Sequence, residues 1–313
     1  MLLRGAILSV FQHLAVSQIS FHGVSNRNKP EDSWMWPTED KTSSSTSKPL
    51  KCGFTRFRST RGRDRFGQLK SPWTVILGSY NVHDDDRFRM KCGGTLVSED
   101  TVITAAHCFE QGFEDAGNTH IRLGEDDLGS DDDGVSPVDI EILEVVQHPD
   151  WNVTTFKNDI AVVKLSRPVS FTDLIMPACL PDTSQQLDLS IYRILTSPDP
   201  VVVGWGSTRK HSGLSSGSKR DAEIGMIFQE ECQNIFSRLY SQEFMKFEET
   251  QMCGQHRRRD ICNSDDGAGL MSINVGDRWT LAGVLSFGGN CDREDPSVFT
   301  RVDKYLAWIK DNM

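Results

Sequence analysis

The pattern of hydrophobic and polar positions changes near residue 72. From there the chain carries short apolar runs rich in β-branched residues, which Gly, Pro, Asn and Asp separate. Val138, Ile140 and Ile142 alternate with polar residues, as in a strand that buries one face. Many short strands with turn residues between them predict an all-β barrel or sandwich. The runs are WTVIL, TVITAA, VDIEILEVV, DIAVVKL, PVVVGWG and WTLAGVLSF.

The two ends of the chain depart from this strand pattern. Near the C-terminus, apolar residues recur at helical spacing and predict an amphipathic helix over residues 302–310. Residues 18–65 are polar and rich in Ser, Thr, Lys, Asn and Pro, so we predict a disordered linker that contains Cys52. The helical positions are Val302, Tyr305, Leu306 and Ile309.

The first residues have the composition of a signal peptide. Arg4 forms a short positive region, residues 5–16 form an apolar core, and the small residues Ala15 and Ser17 suit a cleavage site. We predict a signal peptide over residues 1–17, and an unstructured N-terminus behind an incorrect start codon is the alternative. No later stretch is apolar over the length that spans a bilayer, so we expect no membrane span.

Composition and charge narrow the classes of function. The chain has 313 residues, of which 37% are hydrophobic and 25% are charged, and this is typical of a globular protein. Its net charge of -10 repels phosphate groups, which argues against nucleic acid as a partner. The eight cysteines form an even set, which suggests disulfides in an exported chain, with buried thiols as the alternative. No two of them have the spacing of a zinc ribbon.

Three segments together resemble the trypsin/chymotrypsin family of serine proteases. Residues 104–108 read TAAHC, residues 158–161 read NDIA, and residues 262–270 read CNSDDGAGL, where the family usually has C-x-G-D-S-G-G-P-L. Each string is weak alone, but their order, their spacing and the terminal helix make the match specific. Further matches are Trp73, Cys92-Gly93-Gly94, the segment 176–181 and Gly204-Trp205-Gly206.

The resemblance implies a fold and a set of disulfides. It implies an all-β protein of two six-stranded antiparallel β-barrels with a C-terminal helix. The peptidase domain would cover residues 66–313, with one barrel over about 66–175 and the other over about 176–302. The implied disulfides are Cys52–Cys179, Cys92–Cys108, Cys232–Cys253 and Cys262–Cys291, which use all eight cysteines.

The same resemblance assigns the residues of a catalytic site. His107 matches the general base, and Asp159 matches the residue that orients it. The nucleophile position, four residues after Cys262, holds Asp266. A carboxylate is a poor nucleophile toward an amide, and two carboxylates beside His107 are expected to raise its pKa. We therefore predict that the chain is not an enzyme but an inactive homologue of serine endopeptidases.

Two other interpretations of this site remain open. Ser264 lies in the oxyanion loop beside Asp265, and an active trypsin-like endopeptidase with Arg/Lys specificity would use it as a displaced nucleophile. In the family, Asp265 matches the aspartate that receives the new amino group after activation cleavage. A histidine with two carboxylates also suits a metal, but the family geometry sets these groups on opposite sides of the ring, so we predict no firm metal site.

A specificity pocket is partly retained in the sequence. Asp260 matches the aspartate that pairs with Arg or Lys in trypsin-like members, and the alternative is a solvated loop carboxylate. Gly288 fits an open pocket wall, and Ser297 replaces a wall glycine.

Two surface features are relevant to cofactors and modification. A loop after Glu125 resembles the one that binds calcium in some relatives, and the ligands would be Glu125, Asp131, Asp132 and Asp133. A solvated acidic turn is the alternative that we favour, so we predict no cofactor other than an optional structural calcium ion. Asn152 begins a glycosylation sequon.

Residues 122–125, the acidic loop after them and the upstream Cys52 resemble the clip-domain proteases of invertebrates. A clip domain needs six cysteines and none precedes Cys52, so we expect either that this domain was lost or that the sequence is incomplete. The resemblance implies a secreted, extracellular binding cofactor or regulator of a protease cascade in innate immunity. Its partners would be an extracellular protease, a zymogen or a pathogen surface. An adhesive extracellular protein is the remaining alternative.

Overall fold

The computed structural model describes eleven stretches of the chain, and they form two closed β-barrels. Within the described residues each barrel has six strands, and all neighbouring strands are antiparallel. The prediction of an all-β protein with two six-stranded antiparallel barrels and a short terminal helix is confirmed. The stretches are residues 51–55, 69–80, 88–110, 119–130, 135–182, 199–206, 217–240, 246–256, 265–274, 276–288 and 295–313.

The first barrel has the strand order β1-β2-β3-β6-β5-β4. Buried β-branched side chains fill it, and in β5 the buried Ile140 and Ile142 alternate with more exposed residues, as the sequence pattern predicts. Such alternation is typical of a strand with one face on the core. The strands are β1 (Thr74–Tyr80), β2 (Phe88–Leu96), β3 (Thr101–Thr104), β4 (His120–Leu123), β5 (Val138–Gln147) and β6 (Ala161–Leu165).

The second barrel has the order β10-β11-β12-β9-β8-β7. Helix α1 (Gln229–Leu239) follows β8 and buries Cys232 and Phe236. The core is shared between the barrels, because Trp73 of the first packs against Trp279 of the second at 5.8 Å between ring centroids. The strands are β7 (Val201–Gly204), β8 (Arg220–Ile227), β9 (Gln251–His256), β10 (Gly269–Ile273), β11 (Trp279–Gly288) and β12 (Ser297–Arg301).

The C-terminal segment is helical in two steps. Residues Val302–Lys304 form a 3-10 turn, and helix α2 covers Leu306–Asp311, so the helix starts later than the predicted 302–310. Leu306 and Ile309 are buried, as the spacing predicts. Among the described residues, no helix combines the length and the apolar character needed to cross a membrane.

Residues 51–55 differ from the linker that the sequence predicts. Gly53 donates its N–H to the carbonyl of Pro177 (2.8 Å) and accepts the N–H of Trp279 (3.0 Å). Its φ of +70° suits glycine, and a Cβ there would lie 2.5 Å from the Trp279 oxygen. The disulfide of Cys52 holds this short segment on the domain surface, which polar composition alone does not reveal.

Candidate active site

His107 and Asp159 lie where the two barrels meet, and we call the solvent-facing side of this junction the cleft. His107 lies in a 3-10 helix (Ala106–Phe109) just after β3, and Asp159 lies just before β6. The Nδ1 atom of His107 is 2.7 Å from Asp159 Oδ2, and its backbone N–H donates to Asp159 Oδ1 at 2.9 Å. Asp159 is fully buried, so these two contacts fix the orientation of the imidazole ring.

The second barrel supplies two further donors to Asp159. The hydroxyl of Ser286 in β11 donates to Asp159 Oδ2, and the hydroxyl of Thr300 in β12 donates to its backbone carbonyl at 2.8 Å. Sequence reasoning missed both residues, and the only signal was a single serine near the end of the apolar run WTLAGVLSF. The second barrel therefore holds Asp159 by one hydrogen bond to its carboxylate and one to its backbone carbonyl.

Asp266 lies on the other side of the imidazole ring. Its Oδ2 atom is 3.7 Å from His107 Nε2, which is too long for a hydrogen bond, so Asp266 acts on the ring through its charge. Its side chain is half exposed to the cleft. The backbone is fixed because the Asp266 carbonyl accepts the N–H of Gly93 at 2.8 Å. The next residue, Gly267, has φ +81°, and a Cβ there would meet Thr104 Oγ1 at 2.2 Å.

The two carboxylates change the protonation of His107. Burial lowers the pKa of His107, but the hydrogen bond to Asp159 and the negative charges of Asp159 and Asp266 outweigh burial and raise this pKa to about 10. At neutral pH the ring is therefore an imidazolium between two carboxylates. In this protonation state Nε2 carries a hydrogen and donates rather than accepts.

Asp265 is a buried carboxylate next to Asp266. Its Oδ1 atom accepts the backbone N–H groups of Trp205 (2.8 Å) and Gly206 (2.9 Å), while its buried Oδ2 atom has no hydrogen-bond partner among the described residues. Burial raises the pKa of Asp265 to about 7, against the opposing effect of the two N–H donors. Asp265 and Asp266 therefore point to opposite sides of the loop, one into the protein and one into the cleft.

Comparison with known proteins identifies the family. A family model described as Trypsin matches residues 62–309. The chain belongs to the trypsin family. The two barrels and the His107–Asp159 pair lie within the part that this trypsin-family model matches, and the match ends inside helix α2.

The trypsin-family relatives include one protein named for a CLIP domain and two named for activation or clotting. The chain is 31% identical to phenoloxidase-activating factor 1 of Holotrichia diomphalia over 77% of this chain and 66% of that protein. It is 33% identical to CLIP domain-containing serine protease B4 of Anopheles gambiae over 77% and 67%, respectively. It is 32% identical to the proclotting enzyme of Tachypleus tridentatus over 85% and 69%. The chain thus spans about two thirds of the length of these relatives.

These relatives correct one prediction. The prediction that the chain is not an enzyme is contradicted, because proteins matched over more than three quarters of the chain are named as a serine protease and an enzyme. The prediction rested on Asp266 and on its expected effect on the pKa of His107, whereas the match extends over both barrels and includes the His107–Asp159 pair. A replacement at one position does not establish the absence of activity.

Two of the residues that we predict to line a specificity pocket lie within the described residues. Gly288 and Ser297 are partners in the β11–β12 ladder, with Gly288 at φ +89°. The Ser297 hydroxyl lies 3.1 Å from Nε2 of the largely buried His256, whose pKa burial lowers. The predicted pocket residue Asp260 and the predicted oxyanion-loop residue Ser264 lie outside the described residues.

Three disulfides lie within the described residues. They join Cys52 with Cys179, Cys92 with Cys108, and Cys232 with Cys253, which are the pairs that the family resemblance implies. The Cys92–Cys108 bridge flanks His107, and since both sulfurs are bonded to each other they are not available as thiolate ligands for a metal. The implied pair Cys262–Cys291 lies outside the described residues.

The predicted calcium and glycosylation sites are only partly visible. Glu125 is buried, and its Oε1 atom accepts the N–H groups of Asp126 (2.9 Å) and Asp127 (3.0 Å). Its Oε2 atom is 3.3 Å from the guanidinium of Arg122. The other expected ligands, Asp131, Asp132 and Asp133, lie outside the described residues. Asn152 is exposed in a turn, and its Oδ1 atom accepts the N–H of Thr155 at 2.9 Å.

Proposed function

We propose that this trypsin-family chain acts in an extracellular protease cascade, where its cleft binds a basic segment of a partner protease or zymogen. The observation that carries the proposal is the position of His107 between Asp159 and Asp266. One imidazolium and two carboxylates leave a net negative charge. The half-exposed Asp266 presents that charge to the cleft, where it attracts a cationic side chain.

The cascade setting comes from the named relatives. One is named as a phenoloxidase-activating factor and another as a proclotting enzyme, so proteins similar to this chain take part in activation and clotting. Three disulfides among the described residues suit an oxidising compartment, and therefore support an extracellular location. Innate immunity is the setting that the activating-factor name favours.

We further infer that Asp266 occupies the position of the family's nucleophilic serine. Two observations support this inference. The side chain of Asp266 faces Nε2 of His107, and its backbone carbonyl is bonded to Gly93 of the first barrel. The residue at this position therefore determines what group meets the imidazole in the cleft.

A reconstituted cascade tests the binding role. The full chain is added to a clip-type protease and its zymogen, and the rate of zymogen activation is measured with and without it. We expect wild type to change the rate and Asp266→Lys to abolish the effect, because this substitution reverses the charge of the cleft. Glu144→Lys, at an exposed position of β5, is the matched control and should behave as wild type.

Two results would contradict this role. An unchanged activation rate with wild type, together with no binding to either component by surface plasmon resonance, removes the cascade partner. Binding to a microbial or matrix surface that persists without any protease component favours an adhesive protein instead.

The second candidate function is hydrolysis of peptide bonds after Arg or Lys, which the names of the relatives favour. If the chain has this peptidase function, Ser264 is the displaced nucleophile. A serine-directed fluorophosphonate probe should label wild type, and Arg- and Lys-ester substrates should be turned over. Ser264→Ala should abolish both signals, whereas absence of labelling in wild type would contradict this use of Ser264. Asp266→Ser in parallel reports whether a hydroxyl facing His107 increases turnover.

A further inference from the structure

The loop of residues 124–130 in the first barrel is built around a buried glutamate. Both oxygens of the Glu125 carboxylate are engaged within the protein, one by two backbone N–H groups of its own loop and the other by Arg122. Calcium takes six to eight oxygen ligands. Among the described residues, Glu125 is the only one of the expected calcium ligands. Its carboxylate binds to its own loop and to Arg122 rather than pointing toward an ion.

A lysine from the second barrel supplies a cation to this loop. Lys219, which immediately precedes β8, is 7% exposed. Its Nζ atom donates to the backbone carbonyl of Glu125 at 2.8 Å and lies 3.0 Å from Asp126 Oδ1. Lys70 pairs with the other oxygen of Asp126 at 2.9 Å. The Lys219 ammonium is thus buried against oxygen atoms of the acidic loop, as a bound metal ion would be.

The same loop is bonded to the segment that carries Asp266. The indole N–H of the fully buried Trp205 donates to the backbone carbonyl of Asp126 at 3.2 Å. The Lys219 ammonium lies 5.6 Å from the centroid of the Trp205 ring. The backbone N–H of Trp205 then donates to Asp265 at 2.8 Å. Asp265 also lies directly against Gly204, because a Cβ at that position would lie 2.0 Å from Asp265 Oδ1 and only glycine leaves space for the carboxylate.

We propose that Lys219 is a positioning residue, whose ammonium serves as the internal cation of the 124–130 loop and, through Asp126 and Trp205, holds Asp265 and Asp266 in register with His107. This proposal goes beyond the binding role and does not depend on it, since it concerns the unliganded chain. Lys219 needs no contact with a partner or substrate. The effect of Lys219 on the cleft is transmitted through Asp126, Trp205 and Asp265, which connect it to Asp266.

The direct test is the pH titration of the His107 imidazole by NMR in the full chain, for wild type and Lys219→Met. Methionine keeps the length and apolar body of the side chain and removes the charge. We expect the pKa of His107 to fall by about one pH unit, because Asp266 loses its fixed approach to Nε2. Lys310→Met, which removes an exposed lysine near the end of helix α2, is the matched control and should leave this pKa unchanged.

A folded Lys219→Met protein with the wild-type pKa of His107 would overturn the proposal. A merely structural role predicts a lower melting temperature without this change in titration. Lys219→Arg keeps the positive charge and should restore part of the His107 pKa.

The second measurement is on wild type and does not depend on how well any variant folds. If Lys219 is the cation of the loop, the melting temperature of wild type should be the same in excess calcium chloride and in excess EGTA. Stabilisation of wild type by calcium would overturn the internal-cation role. Magnesium chloride at the same ionic strength controls for general salt effects.

Discussion

The Oδ2 atom of Asp266 lies 3.7 Å from the Nε2 atom of His107, on the side of the ring that faces the cleft. Asp159 occupies the opposite side, with its Oδ2 atom 2.7 Å from Nδ1. The imidazole is therefore held between two carboxylates, one fully buried and one half exposed.

The first prediction concerns stability against pH. The pKa of His107 is raised to about 10, above the ordinary value of 6.5, so its contribution to stability is fully present below pH 6.5 and is lost as the pH rises through 10. Asp266→Asn removes one of the two charges that raise this pKa. In urea titrations from pH 6 to pH 10.5, the urea concentration at the unfolding midpoint should fall more steeply with pH for wild type than for Asp266→Asn. Asp100→Asn, at an exposed carboxylate, should follow wild type, and parallel curves for wild type and Asp266→Asn would contradict the prediction.

The second prediction concerns the buried neighbour of Asp266. Burial raises the pKa of Asp265 from 3.8 to about 7, so its contribution to stability is present below pH 3.8 and is lost as the pH rises through 7. Asp265→Asn keeps an oxygen for the N–H groups of Trp205 and Gly206 but removes the charge. The melting temperature of Asp265→Asn minus that of wild type should be larger at pH 8 than at pH 5. The same difference in melting temperature at both pH values would contradict the prediction, because the charge of Asp265 would then not destabilise the folded protein at pH 8.

The third prediction concerns the donor that sequence reasoning missed. Ser286→Ala removes a hydrogen bond to the fully buried carboxylate of Asp159. Loss of a donor to a buried acceptor costs about 1–3 kcal/mol, so the free energy of unfolding should fall by this amount. Ser98→Ala, at a serine that bonds to the exposed Asp100, should change it by less than about 0.5 kcal/mol. Equal effects of the two substitutions would argue against the Ser286–Asp159 bond.

The fourth prediction concerns the segment around Cys52. Limited trypsin digestion should cut the basic stretch 56–65, which contains Arg56, Arg58, Arg61 and Arg63. Because Cys52 is bonded to Cys179, the upstream fragment should remain attached on a non-reducing gel and separate on a reducing gel. Cys52→Ala should release the fragment without reduction. Release from wild type on the non-reducing gel would contradict this bridge.

The barrels could be predicted from the sequence because strand alternation and the family motifs depend on local spacing. Ile140 and Ile142 show the expected alternation, and His107 and Asp159 were assigned from short strings in the correct order. Ser286 and Lys219 could not be assigned in this way. Each becomes important only when a loop or carboxylate of the other barrel packs against it, and neither belongs to one of the motifs that carried the assignment.

The segment around Gly53 shows a second limit. Its composition is polar and suggests a linker, yet one disulfide and two backbone hydrogen bonds attach it to the domain.

The enzyme prediction failed because it also relied on a local feature. It gave decisive weight to Asp266, whereas the comparisons depend on the whole domain.

The most direct test of the account is the NMR pH titration of the His107 imidazole in wild type and in Asp266→Ser. We expect a pKa of about 10 in wild type and a clearly lower value in the variant, because serine removes the charge beside Nε2. A wild-type pKa near the ordinary value of about 6.5, or the same raised value in both proteins, would contradict the central claim that Asp266 acts on His107.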